Sequence, residues 1–186
     1  MEKTTVADVC LLDKKFRLYI HASQIEETVK KMVQKVADDL GEDACPVFVG
    51  VLNGVFMFMS DFVRHYPHIC QVSFLKMASY QGTDSTGSVK TLLGINEDLT
   101  GRTVVVLEDI VDTGNTLVEL HNLFKDKGIK DFRVATLFFK PESYNKSIPI
   151  EYVGMDIDNR FIVGYGLDYN GVGRNLPHIY QNIEDK

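Results

Sequence analysis

The chain predicts an α/β fold, a mostly parallel twisted sheet flanked by helices, with a small irregular hood subdomain at one side. Three observations carry that expectation. Short β-branched apolar runs alternate with segments of helical period, the pattern of strand–helix–strand units. One such run, Thr103-Val104-Val105-Val106-Leu107, leads through acids and a Gly turn straight into a helical segment. From about residue 148 the periodicity breaks into short apolar runs among glycines, which suits late strands and loops over one edge of the sheet.

The elements follow in order. Ser23-Gln24-Ile25-Glu26 matches a capping box, and Ile25, Val29, Met32, Val33, Val36 and Leu40 continue it at helical spacing until Gly41. Pro46 opens Val47-Phe48-Val49-Gly50-Val51, a buried strand by its unbroken apolar character. Asn53-Gly54 makes a turn, residues 55–66 read as a helix, and residues 69–77 return to the sheet. Residues 78–90 form a polar segment without apolar period, and a loop this long in a compact domain is usually functional or disordered. After the valine-rich strand come a helix over about 116–127 and a strand over 132–139.

Composition bounds the function. With 186 residues, 45% hydrophobic and 25% charged, the chain suits one domain, 1–186, whose hood combines the N-terminal segment with about 148–186. A formal net charge of −6 argues against a nucleic-acid binder relying on bulk electrostatics. It leaves room for a small anionic substrate held by backbone amides or a metal ion. Cys10, Cys45 and Cys70 form no CxxC pair and read as free thiols in a reducing compartment, Cys45 and Cys70 as small apolar residues. Met1-Glu2-Lys3-Thr4-Thr5 has no secretory character, and the most apolar stretch, 47–59, is too short to span a bilayer. A cytoplasmic protein without a membrane partner is the expectation.

The chemistry concentrates in Val104-Val105-Val106-Leu107-Glu108-Asp109-Ile110-Val111-Asp112-Thr113-Gly114-Asn115-Thr116-Leu117. A buried strand ends in two carboxylates, where ligands bind in open α/β sheets. The turn behind it offers backbone N–H groups and the positive end of a helix dipole, an arrangement suited to a phosphate. Thr113 and Thr116 add hydroxyl donors, and Gly114 lets an anion approach the main chain. On its own, Asp112-Thr113-Gly114 is equally compatible with a plain helix-capping turn.

This segment resembles the phosphoribosyl pyrophosphate motif of type I phosphoribosyltransferases, and Glu-Asp-Ile-Val-Asp-Thr-Gly is most similar to their hypoxanthine-guanine branch. The resemblance runs over about 47–179 and includes Gly50-Val51-Leu52-Asn53-Gly54, Ser79-Tyr80, Phe139-Lys140-Pro141 and Phe161-Ile162-Val163-Gly164-Tyr165-Gly166-Leu167-Asp168-Tyr169. It implies that Glu108 and Asp109 contact the ribose hydroxyls directly or through Mg2+, and that Thr113, Gly114, Asn115 and Thr116 hold the 5-phosphate. Asp112 matches the carboxylate that accepts the purine imidazole proton or, alternatively, stabilises positive charge on the ribose. Lys140 matches the donor to the purine 6-oxygen, Phe161 the ring that stacks on the base, and Ile162 the backbone that reads its other edge. Asp168 matches a second Mg2+ ligand and Arg174 a pyrophosphate contact.

Leu52, Asn53 and Gly54 align with the pyrophosphate loop, where the family often holds a non-proline cis peptide; Asn53 stands where a lysine or arginine is frequent. Asn175 replaces an aspartate that often follows the arginine. Residues 78–90 match the family's lid, with Ser79 and Tyr80 at its base. The substrates so implied are phosphoribosyl pyrophosphate and a 6-oxopurine, and the assembly a homo-oligomer, dimer or tetramer. Two alternatives stay open on the residues alone: a xanthine-preferring enzyme, and a nucleotide-sensing RNA-binding regulator on the same fold.

Overall fold

The computed structural model describes residues 7–78, 90–93, 95 and 97–183. The expected lid residues 79–89, with Ser79 and Tyr80, and the N-terminal Met1-Glu2-Lys3-Thr4-Thr5 lie outside the described residues.

Ten strands and three helices are formed among them: β1 (Val9–Leu11), β2 (Lys14–Ile20), α1 (Ala22–Leu40), β3 (Val47–Leu52), α2 (Phe56–His65), β4 (Gln71–Ala78), β5 (Lys90–Leu93), β6 (Thr103–Val111), α3 (Asn115–Lys125), β7 (Asp131–Phe139), β8 (Tyr152–Asp156), β9 (Ile162–Val163) and β10 (Ile179–Asn182). They build a six-stranded sheet in the order β5-β4-β3-β6-β7-β8 and a four-stranded antiparallel sheet in the order β1-β2-β10-β9. In the larger sheet β4, β3, β6, β7 and β8 are parallel and only β5 runs against its neighbour.

Alternation along the central strands explains the layering. Phe48, Val105, Leu107, Ala135 and Leu137 pack with α1 and α2, while Val47, Val49, Val104, Val106 and Val134 pack with Leu117, Leu120 and Phe124 of α3. Side chains of a strand leave on alternate faces, so strands covered on both sides must be apolar throughout. Phe16, Val163 and Tyr180 form a separate small core in the second sheet. No helix among the described residues is long and apolar enough to cross a membrane.

Four boundaries differ from the sequence reading. The first helix starts two residues earlier: His21 is its N-cap, the His21 N–H donates to Gln24 Oε1 at 3.0 Å, and the Ala22 N–H donates to His178 Nδ1 at 2.9 Å. A partner 156 residues away thus sets that terminus. Ala78 and Lys90, expected in the polar loop, belong to the backbone pairing of β4 with β5. The valine-rich strand does not stop at the acids. It continues to Val111, because Ile110 pairs with Phe138 and Val111 with Phe139. Tyr152–Asp156 joins the parallel sheet beside β7, where Tyr152 is buried, so the second layer begins later than residue 148.

Candidate active site

The strand order reverses direction between β3 and β6. From β3 the chain crosses by α2 to β4 on one side, and from β6 by α3 to β7 on the other. Such a switch point opens a crevice at the carboxyl ends of the two strands. After β3 the chain passes through a cis Leu52–Asn53 peptide, with Asn53 exposed, to Gly54. A Cβ placed on Gly54 would overlap the Asp109 carboxylate, and one on Gly166 would overlap the Gly54 carbonyl. The β3 turn, the strand β6 and the chain after β9 therefore meet at Gly54, whose main chain lies against the Asp109 carboxylate on one side and Gly166 on the other. Gly166, at φ 100°, needs glycine on both counts.

The two acids of β6 differ in environment. Glu108 is 5% exposed, and its Oε1 has no hydrogen-bond partner among the described residues. Burial, and secondly the Asp109 charge, holds Glu108 well above the ordinary carboxylate range. Asp109 reaches the crevice and accepts the Ile110 N–H on Oδ1 at 3.0 Å. Burial pushes it up to about 6, with Asp168 adding to the rise; the backbone N–H groups of Ile110 and Asp109 and the Arg174 charge oppose it. A pair of partly desolvated carboxylates that resist ionisation favours a ligand bringing hydroxyl donors or positive charge.

Behind Asp112, Gly114 at φ 80° is the N-cap of α3, with no side-chain cap. Thr113, Asn115 and Thr116 are exposed around it. The first amides of a helix lack intrahelical acceptors, so this turn presents N–H donors to solvent beside Asp112. The Tyr144 ring and the Lys146 stem close over Gly114 so tightly that a Cβ there would meet both. Tyr144 and Lys146 carried no signal in the sequence, since they sit in an irregular stretch without period.

The opposite wall comes from the end of β7 and from the loops on either side of β9. Lys140 follows β7, is 8% exposed, and places Nζ 2.8 Å from Asp112 Oδ2. Phe161 is 40% exposed although it packs against Phe16 and Tyr169, so part of its ring remains open. Asp168 is ion-paired with Arg174 at 2.6 Å and accepts the Gly171 N–H at 2.7 Å, while Arg174 Nη1 donates to the Gly166 carbonyl at 2.7 Å. The Tyr165 hydroxyl donates to Asp61 Oδ2 of α2 at 2.6 Å, tying this wall to the main body. Asp61 is a second contributor that the sequence did not reveal.

Gly54, Asp109, Asp112, Lys140, Phe161, Ile162, Asp168 and Arg174 line one cavity of ≈ 320 Å³, together with the unanticipated Ile110 and Leu167. That volume suits a small ligand. Leu52, Asn53, Glu108 and the phosphate-type turn 113–116 do not line it: Glu108 is buried, while the turn lies alongside, next to Asp112. A larger cavity of ≈ 490 Å³ lies at the other end of the sheet. Its Arg102 and Arg133 are already bonded to neighbouring groups and its charges are balanced by Asp39, Asp43 and Asp131.

The chain matches the phosphoribosyl transferase domain family over residues 20–170. It belongs to that family. A hypoxanthine-guanine phosphoribosyltransferase of Streptococcus agalactiae is 40% identical over 168 residues, covering 90% of this chain and 92% of that protein. A protein of the same name from Aquifex aeolicus is 32% identical over 173 residues, covering 92% and 97%. The crystal structure of a hypoxanthine-guanine phosphoribosyltransferase from Bacillus anthracis superposes with a TM-score of 0.83 at 37% identity, covering 89% of this chain and 97% of that one. The fold is the type I phosphoribosyltransferase fold, and the protein is a phosphoribosyltransferase.

Proposed function

We propose that this phosphoribosyltransferase salvages purines as a single catalytic domain, moving the 5-phosphoribosyl group of phosphoribosyl pyrophosphate onto hypoxanthine or guanine. The products are the nucleoside monophosphate and pyrophosphate. The observation that carries the reading is the 2.8 Å contact between Lys140 and Asp112 inside the cavity that Phe161 also faces. One group that only donates and one that accepts stand side by side where a flat base can lie.

Lys140 reads the base. An ammonium donates hydrogen bonds and accepts none, so it suits a 6-oxygen and leaves the 6-amino group of adenine unmatched. Phe161 offers its open face for stacking, and the Ile162 main chain reads the far edge. Asp112 accepts the imidazole proton that the base must lose as its nitrogen bonds to the sugar. The amides and hydroxyls of Thr113, Gly114, Asn115 and Thr116 hold the 5-phosphate at the start of α3. Arg174 places positive charge beside the departing pyrophosphate, and Leu52, Asn53 and Gly54 offer main-chain groups to it.

Mg2+ fits the donor set. Among the described residues no group of three or more His, Cys, Asp or Glu side chains is gathered for a metal, but this ion commonly binds through one or two carboxylates plus substrate oxygens. Asp109 at the cavity and the unpartnered Glu108 Oε1 behind it are oxygen ligands of that kind, and Asp168 is a further one on the hood side. Bound there, the ion would neutralise pyrophosphate charge as the bond to the sugar breaks.

The proposal extends to a homo-oligomer, dimer or tetramer, for which the exposed Phe56 of α2 offers apolar surface, and to the cytoplasm, where three free thiols persist. A spectrophotometric assay with Mg2+, phosphoribosyl pyrophosphate and each of hypoxanthine, guanine, xanthine and adenine tests the substrate reading. Hypoxanthine and guanine should turn over, with adenine ~10⁴-fold slower because its mismatch is buried. Lys140→Ala should shrink that gap. Equal rates for adenine and hypoxanthine in the parent enzyme would sink the assignment of Lys140.

A further inference from the structure

At the end of the sheet remote from the cavity, the amino ends of β3 and β4 carry two of the three cysteines. Cys45 lies two residues before β3 and Cys70 one residue before β4. The strands are parallel with Val47 opposite Gln71, and the Gln71 N–H donates to the Pro46 carbonyl at 2.9 Å. The thiol-bearing residues therefore flank a hydrogen-bonded cross-strand contact. Continued one step beyond the ladder, that register sets Cys70 beside Pro46, with Cys45 the next residue back on the neighbouring chain.

Arg102 holds the two arms together. Its Nη1 donates to Gln71 Oε1 at 2.9 Å, and its Nη2 donates to the Cys45 carbonyl at 2.8 Å and lies 3.8 Å from Cys45 Sγ. Cys45 sits at φ 38°, a left-handed conformation that a residue with a side chain adopts only where its surroundings enforce it. The guanidinium bonds the carbonyl of that residue. Burial, and then the Cys45 thiol, raises Cys70 above the ordinary thiol range, and both thiols add to the burial that raises the Tyr66 hydroxyl beside them.

We propose that Cys45 and Cys70 are a redox pair that closes to an intramolecular disulfide when the protein meets a peroxide. The Cys45 sulfur, with a guanidinium at its side, attacks the peroxide oxygen. The O–O bond breaks, hydroxide leaves, and Cys45 becomes a sulfenic acid. The Cys70 sulfur then attacks Cys45 Sγ, the S–S bond forms, and the sulfenic oxygen leaves as water. Two thiols are oxidised by two electrons, and one hydrogen peroxide is reduced to two waters. The crosslink ties the chain before β3 to the chain before β4 and encloses residues 45–70, that is β3, Gly54 and α2. Closing such a loop restricts the unfolded chain and stabilises the fold.

The test uses the full chain, treated with one equivalent of hydrogen peroxide, then denatured, alkylated and mapped without reduction. Titratable thiols should fall from three to one, leaving Cys10. A Cys45–Cys70 crosslinked peptide should appear, the melting temperature should rise, and dithiothreitol should reverse all three changes. Cys45→Ser and Cys70→Ser should each abolish the crosslink, while Cys10→Ser should leave it intact. Phenylarsine oxide, which bridges paired thiols, provides a measurement that needs no oxidation. One equivalent should bind the parent and the Cys10→Ser variant, and none should bind Cys45→Ser. Three free thiols after peroxide, a crosslink involving Cys10, or a protein that ignores the arsenical would each overturn the proposal.

Discussion

The sheet wall of the cavity and its hood wall bring comparable chemistry to one place by different means. Asp109 comes from β6, a nine-residue strand whose Val104, Val105, Val106 and Leu107 are wholly buried and which is paired with β3 and β7 on its two sides. Phe161, Asp168 and Arg174 come from a stretch whose only regular strand, β9, has two residues. There Gly164, Tyr165, Gly166, Asn170, Gly171 and Gly173 all have positive φ. On the first wall, apolar burial fixes the backbone and so carries carboxylates into a desolvated place. On the second, turn geometry, a few main-chain hydrogen bonds and the Asp168–Arg174 pair do the positioning. Catalytic chemistry on the sheet wall should therefore be separable from fold, whereas on the hood wall position and backbone conformation are one thing.

The largest test of that contrast falls on the sheet side. Asp112→Asn keeps the shape and an acceptor oxygen toward Lys140 but cannot take a proton. Turnover should drop by about 10²–10⁴-fold, the usual worth of a positioned general base, while calorimetric binding of inosine monophosphate changes only a few-fold. Full turnover would remove the proton-transfer role.

On the hood side two glycines of similar φ should behave unlike each other. Gly166→Ala drives a methyl group into the Gly54 carbonyl, and Gly171→Ala meets nothing within 4 Å. The first should lower kcat/KM by ~10²-fold through misplacement of the wall. The second should cost only about 1 kcal/mol of stability with activity retained. Steady-state kinetics and urea melts on the two variants measure both effects, and equal losses would contradict the role given to Gly166.

The smallest effect is a stability slope. Asp109 is held at about 6 in the folded protein, against 3.8 for a free side chain. Between those values the native state binds more protons than the unfolded one. Stability of the ligand-free protein should therefore fall as pH rises from about 4 to about 6, by roughly 1–3 kcal/mol from this group. Buried Glu108 acts in the same direction. Urea melts at intervals across that range should show a flatter profile for Asp109→Asn. An unchanged profile would mean that Asp109 is more solvated than its surroundings imply.

The sheet wall was far more legible in the sequence than the hood wall, for a physical reason. A buried strand, a Gly turn and a helix start are local events, so residues 104–117 announce both their structure and their chemistry. Phe161, Asp168 and Arg174 were found through resemblance and carried no period of their own. The continuation of β6 past the acids was hidden because carboxylates interrupt an apolar pattern while the backbone ladder with β7 continues. The helix start at His21 depends on His178, and the anchoring of Tyr165 depends on Asp61, both contacts between distant parts of the chain. Tyr144 and Lys146 over Gly114 are of the same kind. No local rule exposes such pairs.

The most direct measurement is a crystal structure of the protein with inosine monophosphate and Mg2+. The 5-phosphate is expected ~3 Å from the main-chain nitrogens at the start of α3, with the base on Phe161 and its 6-oxygen at Lys140. Nucleotide found instead in the cleft of Arg102, Lys130 and Arg133, with the turn after β6 bare, would contradict the account.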